Sequence, residues 1–540
     1  MSNTSKAKSL FAEKFFAVSR GNTNFAFQRT KIMKHLRLLL TLAAILLATS
    51  AINAQVGDLP RSNPAAEGIS SKAISQFFDS LQALPKTDIH HMMVLRHGHV
   101  VAECHPAPYR PADAHTLYSA SKTLTSLAVG IAIGEHRLSL DDRVVTYFPD
   151  MLPDKVTPQL ASITVKDLLI MCSGIEPDWQ MRMDFDNWIE TFLAKPVKYQ
   201  PGKRFMYDSI CTYLLSAILQ RVTGKTLIEY LRQHIFAPMH IVEADWELSP
   251  EGICTGGWGL RLQTESLAKI GQLMLQRGQW EGRQLVPEAW IEDAIKPHAN
   301  YDGASMQKPS DKNQGYGYQL WRCLKPGAYR LDGAYGQFVV VDPDTQMVIV
   351  ILGCSDSTGE ELGCIWKYLM PGVGKHYTDT GNDRKRLDNT IRNAALPMPK
   401  GKKESSVVSD IDFKLSQNRL NITAAKFYHV DGKPTLHIYY AHGSDETLPL
   451  AFGSWAYGHL LDNPPYSINA KGRFTGLRRD FSVAGSYAWK SPTLLQINLQ
   501  YVNWISAIDI QVNLETETAV ISYNYDRAHP ETVACAIVRQ

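Results

Sequence analysis

Four serines in the chain are followed three residues later by a lysine: Ser5, Ser119, Ser266 and Ser305. A serine hydroxyl is a poor nucleophile until a base removes its proton. On a helix, positions i and i+3 share a face, so the lysine amine can reach the hydroxyl one turn back. That amine acts as a base only when uncharged, which requires burial or cationic neighbours to depress its pKa. A serine at a helix N-terminus has a further advantage, because the free N–H groups there steady negative charge developing on a bound carbonyl oxygen. The four settings differ. Ser5 lies in a basic leader, Ser305 in a polar loop, and Ser266 in an amphipathic stretch with Leu267 and Ile270 that is expected to leave Lys269 in solvent. Only Ser119 opens an apolar helix after an extended segment, which makes Ser119 the candidate nucleophile and Lys122 the candidate base.

Those two residues need elements to hold them. Leu124, Leu127, Ala128 and Ile131 recur at helical spacing, predicting a helix over Thr123–Gly134 that begins near Ser119. Thr164–Met171, Tyr213–Val222 (stopped by Gly224) and Leu267–Arg277 read as further helices. Met92–Leu95 and Val100–Glu103 read as a hairpin turned at His97-Gly98-His99, and Phe338–Val341 and Val348–Leu352 as strands around Asp342-Pro343-Asp344. Strands at both ends with helices between them predict an α+β fold, an antiparallel sheet flanked by helices with a helical insertion. Pro397–Lys403 has linker chemistry. Beyond it the apolar residues alternate, as at Leu436, Ile438 and Tyr440 or Ile508, Ile510 and Val512, predicting an all-β domain. The expected division is a leader over 1–54, a catalytic domain over 55–390, a linker over 391–404 and a β-rich accessory domain over 405–540.

The run from Leu117 through Ser126, continuing to Leu138-Ser139-Leu140-Asp141-Asp142, resembles the active-site segment of the serine β-lactamase-related family. That family includes class C β-lactamases, penicillin-binding-protein-like hydrolases, esterases and 6-aminohexanoate-dimer hydrolases. Thr164–Gly174 resembles its next block, Pro201-Gly202 through Tyr207-Asp208-Ser209 its tyrosine motif, and Thr255–Leu260 a further block. The resemblance runs from about residue 60 to 375 and implies the β-lactamase/transpeptidase-like fold. It also implies that Tyr207 sits beside Ser119 and Lys122 and relays protons. The third member of the tyrosine motif is usually Asn; here it is Ser209, which still donates a hydrogen bond but lacks an amide carbonyl. The family's Lys-Thr-Gly or His-Thr-Gly triplet corresponds to Leu331-Asp332-Gly333. Gly333 is expected to let a substrate backbone approach closely, and the Ala334 N–H to be the second oxyanion donor beside that of Ser119, each such donor being worth about 3–4 kcal/mol of barrier. Leu331 replaces a cation that would anchor a substrate carboxylate, and Asp332 is expected to repel an anionic substrate; both changes argue against an efficient β-lactamase.

The expected activity is therefore two-step acyl transfer by an exported serine hydrolase acting on a small amide or ester, with no metal or cofactor. A β-lactamase or D-Ala-D-Ala-type peptidase is the narrower alternative. A catalytically silent protein that senses cell-wall fragments is the alternative of another class, and it is disfavoured because Ser119, Lys122 and Tyr207 are all present.

Composition agrees with this reading. The chain has 540 residues, 44% hydrophobic and 20% charged, an ordinary globular balance. Residues 1–54 hold eight Lys and Arg against one acid, Glu13, which leaves 48 basic residues against 52 acidic in the remainder. A near-neutral body gives no electrostatic case for nucleic acid binding. Lys34, His35 and Arg37 precede the apolar run Leu38–Ala48 and the small-residue ending Ile52-Asn53-Ala54, a signal-peptide pattern that predicts export to the periplasm or beyond, with Met33 as an alternative start. The apolar run is well short of the ~20 residues a membrane span needs. Eight dispersed cysteines carry no metal spacing, and burial as small apolar side chains is expected, with no pairing assigned. His90, His91, His97 and His99 are expected to be hairpin and surface residues, not zinc ligands. Trp455, Tyr457, Tyr487, Trp489, Tyr501 and Trp504 are expected to be core or packing residues in preference to a sugar platform.

Overall fold

The computed structural model describes residues 58–300, 309–374 and 379–538. The leader with its signal pattern, Ser5 and Ser305 lie outside the described residues.

The catalytic region is organised on a six-stranded antiparallel sheet in the order His99–Cys104, Thr87–Arg96, Met347–Ser355, Gln337–Asp342, Tyr329–Gly333, Trp321–Arg322. Strands from the two ends of the region meet at its centre, where Met92 faces Ile351 and Phe338 faces Ile351 from the other side. Alternate residues sort into two cores, as the two-residue period of a strand requires. Met93, Leu95, Val339 and Val348 pack with the helices Ser121–Gly134, Ser209–Thr223 and Thr264–Leu275. Met92, Val94, Phe338 and Ile349 pack with Ser71–Gln82 and Thr358–Cys364. Both faces are covered, so the central strands are buried from end to end.

The helix starts follow from capping chemistry. Asp208 accepts from the Ile210 N–H and starts Ser209–Thr223, four residues before the apolar periodicity becomes visible, and Gly224 ends it with a left-handed φ of +69°. Thr164 and Asp167 form a capping box on Val165–Leu169.

Residues 411–538 form an eleven-stranded sheet among the described residues, running from Asp445–Pro449 to the pair Ala451–Phe452 and Ala456–Leu460, both seated on Phe481–Ser491. Tyr487, Trp489, Tyr501 and Trp504 are buried in this β-region, as expected of core aromatics. Tyr457 donates to the Pro108 carbonyl at 2.8 Å, and Trp455 packs beside Tyr109 of the catalytic region. All eight cysteines are free and buried. No helix among the described residues is long and apolar enough to cross a membrane.

Two expectations are overturned by packing. His90 and His91 are not surface residues, because they lie on the covered strand Thr87–Arg96 and are fully buried. His90 Nδ1 meets His115 Nε2 at 2.9 Å and His91 Nδ1 meets His105 Nδ1 at 2.8 Å, and burial holds both well below the usual imidazole pKa. His97 and His99 do lie at the exposed turn, facing Glu67. Lys269 is not in solvent either; its helix packs against the sheet, and its amine donates to the Met239 carbonyl at 3.2 Å.

Candidate active site

Ser119 sits in a short 3-10 turn, Tyr118–Ala120, that runs directly into the helix Ser121–Gly134. Its side chain is partly open to solvent, whereas Lys122, one turn on, is 1% exposed. Lys122 Nζ lies 3.1 Å from Ser119 Oγ, 2.9 Å from Ser209 Oγ and 2.7 Å from the Gly257 carbonyl. The amine donates to the Gly257 carbonyl and meets the two serine hydroxyls, so all of its polar partners come from the motif blocks around it. Burial pushes the Lys122 pKa down to about 7; Asp208 opposes that shift and Arg182 adds to it. Asp208 is itself buried, and its carboxyl is pushed up to about 6.

Three motif blocks far apart in sequence are tied around this pair by buried polar side chains. Gln319 is the main tie: its carbonyl accepts from Thr123, its side-chain oxygen from Thr212, and its amide donates to the Leu168 and Leu169 carbonyls. Thr125 donates to the Gly256 carbonyl, and the Leu260 N–H donates to Ser121 Oγ. Gly257 has to be glycine here, since a Cβ would stand 2.9 Å from the Ser209 carbonyl and 3.3 Å from Lys122 Nζ.

Tyr207 is half-buried beside the pair, with Lys122 Nζ 4.9 Å from its ring centre. Trp321 stacks on it at 5.8 Å and Tyr316 stands edge-on at 6.0 Å. Loss of water raises the Tyr207 phenol above its ordinary pKa, against a pull from the Ser119 side chain, so the neutral phenol is the favoured form. The structure thus gives the two groups different characters: an amine inclined to be neutral and a phenol inclined to keep its proton.

The strand Tyr329–Gly333 packs against the nucleophile turn and ends at Ala334, which is exposed. A Cβ on Gly333 would come within 2.3 Å of the Leu117 carbonyl. Gly333 thus permits the close approach of the chain's own nucleophile turn. Asp332 is not a lone anion: Arg330 Nε donates to it at 2.8 Å, the two side chains sharing one strand face at i and i+2. Arg330 is almost fully buried, and it also donates to the Asp311 and Arg322 carbonyls. Among the described residues no group of three or more His, Cys, Asp or Glu is arranged to hold a metal ion.

Sequence reasoning missed Gln319, the Gly257 carbonyl and the aromatic wall of Trp321 and Tyr316, because each acts through tertiary contact. It also missed Tyr118, whose φ of +47° places a bulky residue in the left-handed region immediately before Ser119. Such a conformation costs on the order of 1–3 kcal/mol.

The chain is similar to several known proteins. A 6-aminohexanoate-dimer hydrolase from Paenarthrobacter ureafaciens is 27% identical over 299 residues, 51% of this chain and 74% of that protein. Among solved structures, a penicillin-binding protein homologue from Caulobacter crescentus covers 55% of this chain and 97% of its own, at 17% identity and a TM-score of 0.45. The octameric penicillin-binding protein homologue from Pyrococcus abyssi covers 79% of this chain and 96% of its own, also at 17% identity and a TM-score of 0.45. The Beta-lactamase family model matches residues 90–363, just over half of the chain and every residue of the constellation built above, and the chain belongs to the beta-lactamase family of serine hydrolases.

Proposed function

We propose that this protein is an exported hydrolase that cleaves a small amide or ester through an acyl-enzyme on Ser119. The observation that carries the reading is the buried Lys122 amine, 3.1 Å from Ser119 Oγ and depressed to a pKa of about 7. In the first step the Lys122 lone pair takes the hydroxyl proton as Ser119 Oγ bonds to the substrate carbonyl carbon. The oxyanion lies between the N–H groups of Ser119 and Ala334. Tyr207, as a neutral phenol, hands its proton to the departing amine or alcohol and is reprotonated from Lys122. The acyl bond to the leaving group is then broken and the acyl-enzyme formed. Water attacks in the second step by the same route in reverse, releasing the acid and restoring the serine hydroxyl.

Leu331 and Ser209 stand where β-lactam-cleaving relatives use a cation and an amide, so an ester or simple amide is favoured over a β-lactam. The relative named for the 6-aminohexanoate dimer makes that dimer the first amide to test. The decisive measurement is labelling by a fluorophosphonate probe, with Ser119→Ala as control. Labelling of the wild type alone is the expected result; a folded wild type that takes no label overturns the reading. Turnover of a p-nitrophenyl ester and of the dimer, set against a chromogenic cephalosporin, then ranks the substrate classes, with the cephalosporin expected last. Export is tested by fractionating cells that express the full chain and a chain lacking residues 1–54, only the former being expected outside the cytoplasm.

A further inference from the structure

We propose that the C-terminal β-region is a working part of the catalytic centre, holding the backbone of the nucleophile turn through the side chain of Tyr118. The inference rests on Ser119 as the nucleophile.

Tyr118 immediately precedes Ser119, and its left-handed φ of +47° is a conformation an aromatic residue adopts only when its surroundings impose it. The C-terminal β-region supplies much of those surroundings. The Tyr118 ring is 2% exposed and packs in the hydrophobic cluster of the β-region, with Tyr466, Phe474 and Trp504. Tyr466 meets it edge-on at 5.6 Å, and Tyr118 Oη shares a hydrogen bond with Ser467 Oγ at 3.0 Å.

Tyr466 and Ser467 belong to the connection 461–480 between the strands Ala456–Leu460 and Phe481–Ser491. That connection is fastened to the catalytic region along its length. The Lys471 N–H donates to the Arg182 carbonyl at 2.8 Å, the Phe474 N–H to Glu247 at 3.1 Å and the Arg478 N–H to Asp245 at 3.0 Å, while the Leu248 N–H donates to the Thr475 carbonyl at 2.8 Å. It is therefore a fixed anchor for the ring it grips.

The other side of the site repeats the arrangement. Tyr335 follows Ala334, the second oxyanion candidate, and it too is left-handed, with a φ of +62°. Its ring meets Tyr118 edge-on at 5.5 Å and Tyr525 of the β-region at 6.3 Å. Both amides proposed to hold the oxyanion are thus adjacent in sequence to tyrosines in strained backbone, and both rings touch the C-terminal β-region. Tyr118 and Ser467 are positioning residues: they set the direction of the Ser119 hydroxyl and N–H without touching substrate.

The test uses the full chain, measuring the rate of fluorophosphonate labelling, kcat and KM for a p-nitrophenyl ester, and Tm. Tyr118→Phe and Ser467→Ala each delete the shared hydrogen bond, and each is expected to slow labelling and kcat about fivefold, with KM within about twofold. The double variant is expected to be no slower than either single one, as coupled residues require. Tyr457→Phe removes a different contact across the same junction, its hydrogen bond to the Pro108 carbonyl, and is expected to leave kcat unchanged. Folded Tyr118→Phe and Ser467→Ala proteins that label at the wild-type rate overturn the inference, as does a Tyr457→Phe protein slowed to the same extent. A wild type that fails to label at all is a different result: Ser119 is then not the nucleophile, and the positioning role falls with it.

Discussion

The chain contains two described copies of the same four-residue spacing, Ser119 with Lys122 and Ser266 with Lys269, and they behave differently. Both lysines are buried, at 1% and 4% exposure. In one the amine turns to its own serine at 3.1 Å; in the other it donates to the Met239 carbonyl at 3.2 Å. Ser266 is buried inside the helix Thr264–Leu275, where no substrate carbonyl can approach its hydroxyl. Ser119 precedes its helix and is partly open to solvent, on a turn that lies against the end of the strand Tyr329–Gly333. Burial of a lysine one turn from a serine is therefore not enough. The serine has to be lifted out of the helix, and the amine's other partners have to hold it against the hydroxyl.

Substitution at the two serines sets the contrast at its widest. Ser119→Ala is expected to cost about a thousandfold or more in kcat for the ester, and Ser266→Ala to leave it within about twofold. Equal losses at the two positions would break the comparison. Next come the lysines: Lys122→Met is expected to lose about 10²–10⁴-fold in kcat, the range of a general base, whereas Lys269→Met retains activity. The pH profile sharpens the point. Lys122 acts as the neutral amine, so kcat/KM is expected to be flat above its pKa of about 7 and to fall about tenfold per unit below it; a profile flat down to about pH 5 would count against Lys122 as base. Gly257→Ala is expected to cost about tenfold, because its Cβ would crowd Lys122 Nζ and the Ser209 carbonyl.

The smallest effect on activity is expected at Glu361, a buried acid whose two oxygens have no hydrogen-bond partner and whose pKa burial holds well above the usual carboxylate range. Between the unfolded and folded pKa values the native state holds a proton the unfolded chain has lost, so this group costs stability increasingly as pH rises. Glu361→Gln is expected to raise Tm by about 2–5 °C near pH 8 and to change it little near pH 5. A gain at low pH alone would reverse the sign and remove the case that burial governs this carboxyl.

What was legible in the sequence was what lies close along the chain. Ser119 and Lys122 are one helical turn apart, and Tyr207 and Ser209 share a short block, so spacing and resemblance could point to both pairs. The hairpin at His97-Gly98-His99 and the central strands followed from short apolar runs bounded by turn residues. What could not be read depends on contacts between distant segments. The buried partners of His90 and His91, the bridge made by Gln319, the carbonyl of Gly257 and the grip of Ser467 on Tyr118, 349 positions away, leave no periodic trace. The space-filling reason for Gly333 was hidden for the same cause, since nothing local shows that Leu117 passes over it.

The centre of the catalytic sheet has one further consequence, for the order of events when the chain is made. Thr87 pairs with Ser355, 268 positions further on. Until the ribosome has delivered that later strand, the early hairpin has a bare inner edge and its apolar faces are uncovered. Such non-local closure is slow and leaves the half-finished polypeptide prone to sticking to its neighbours.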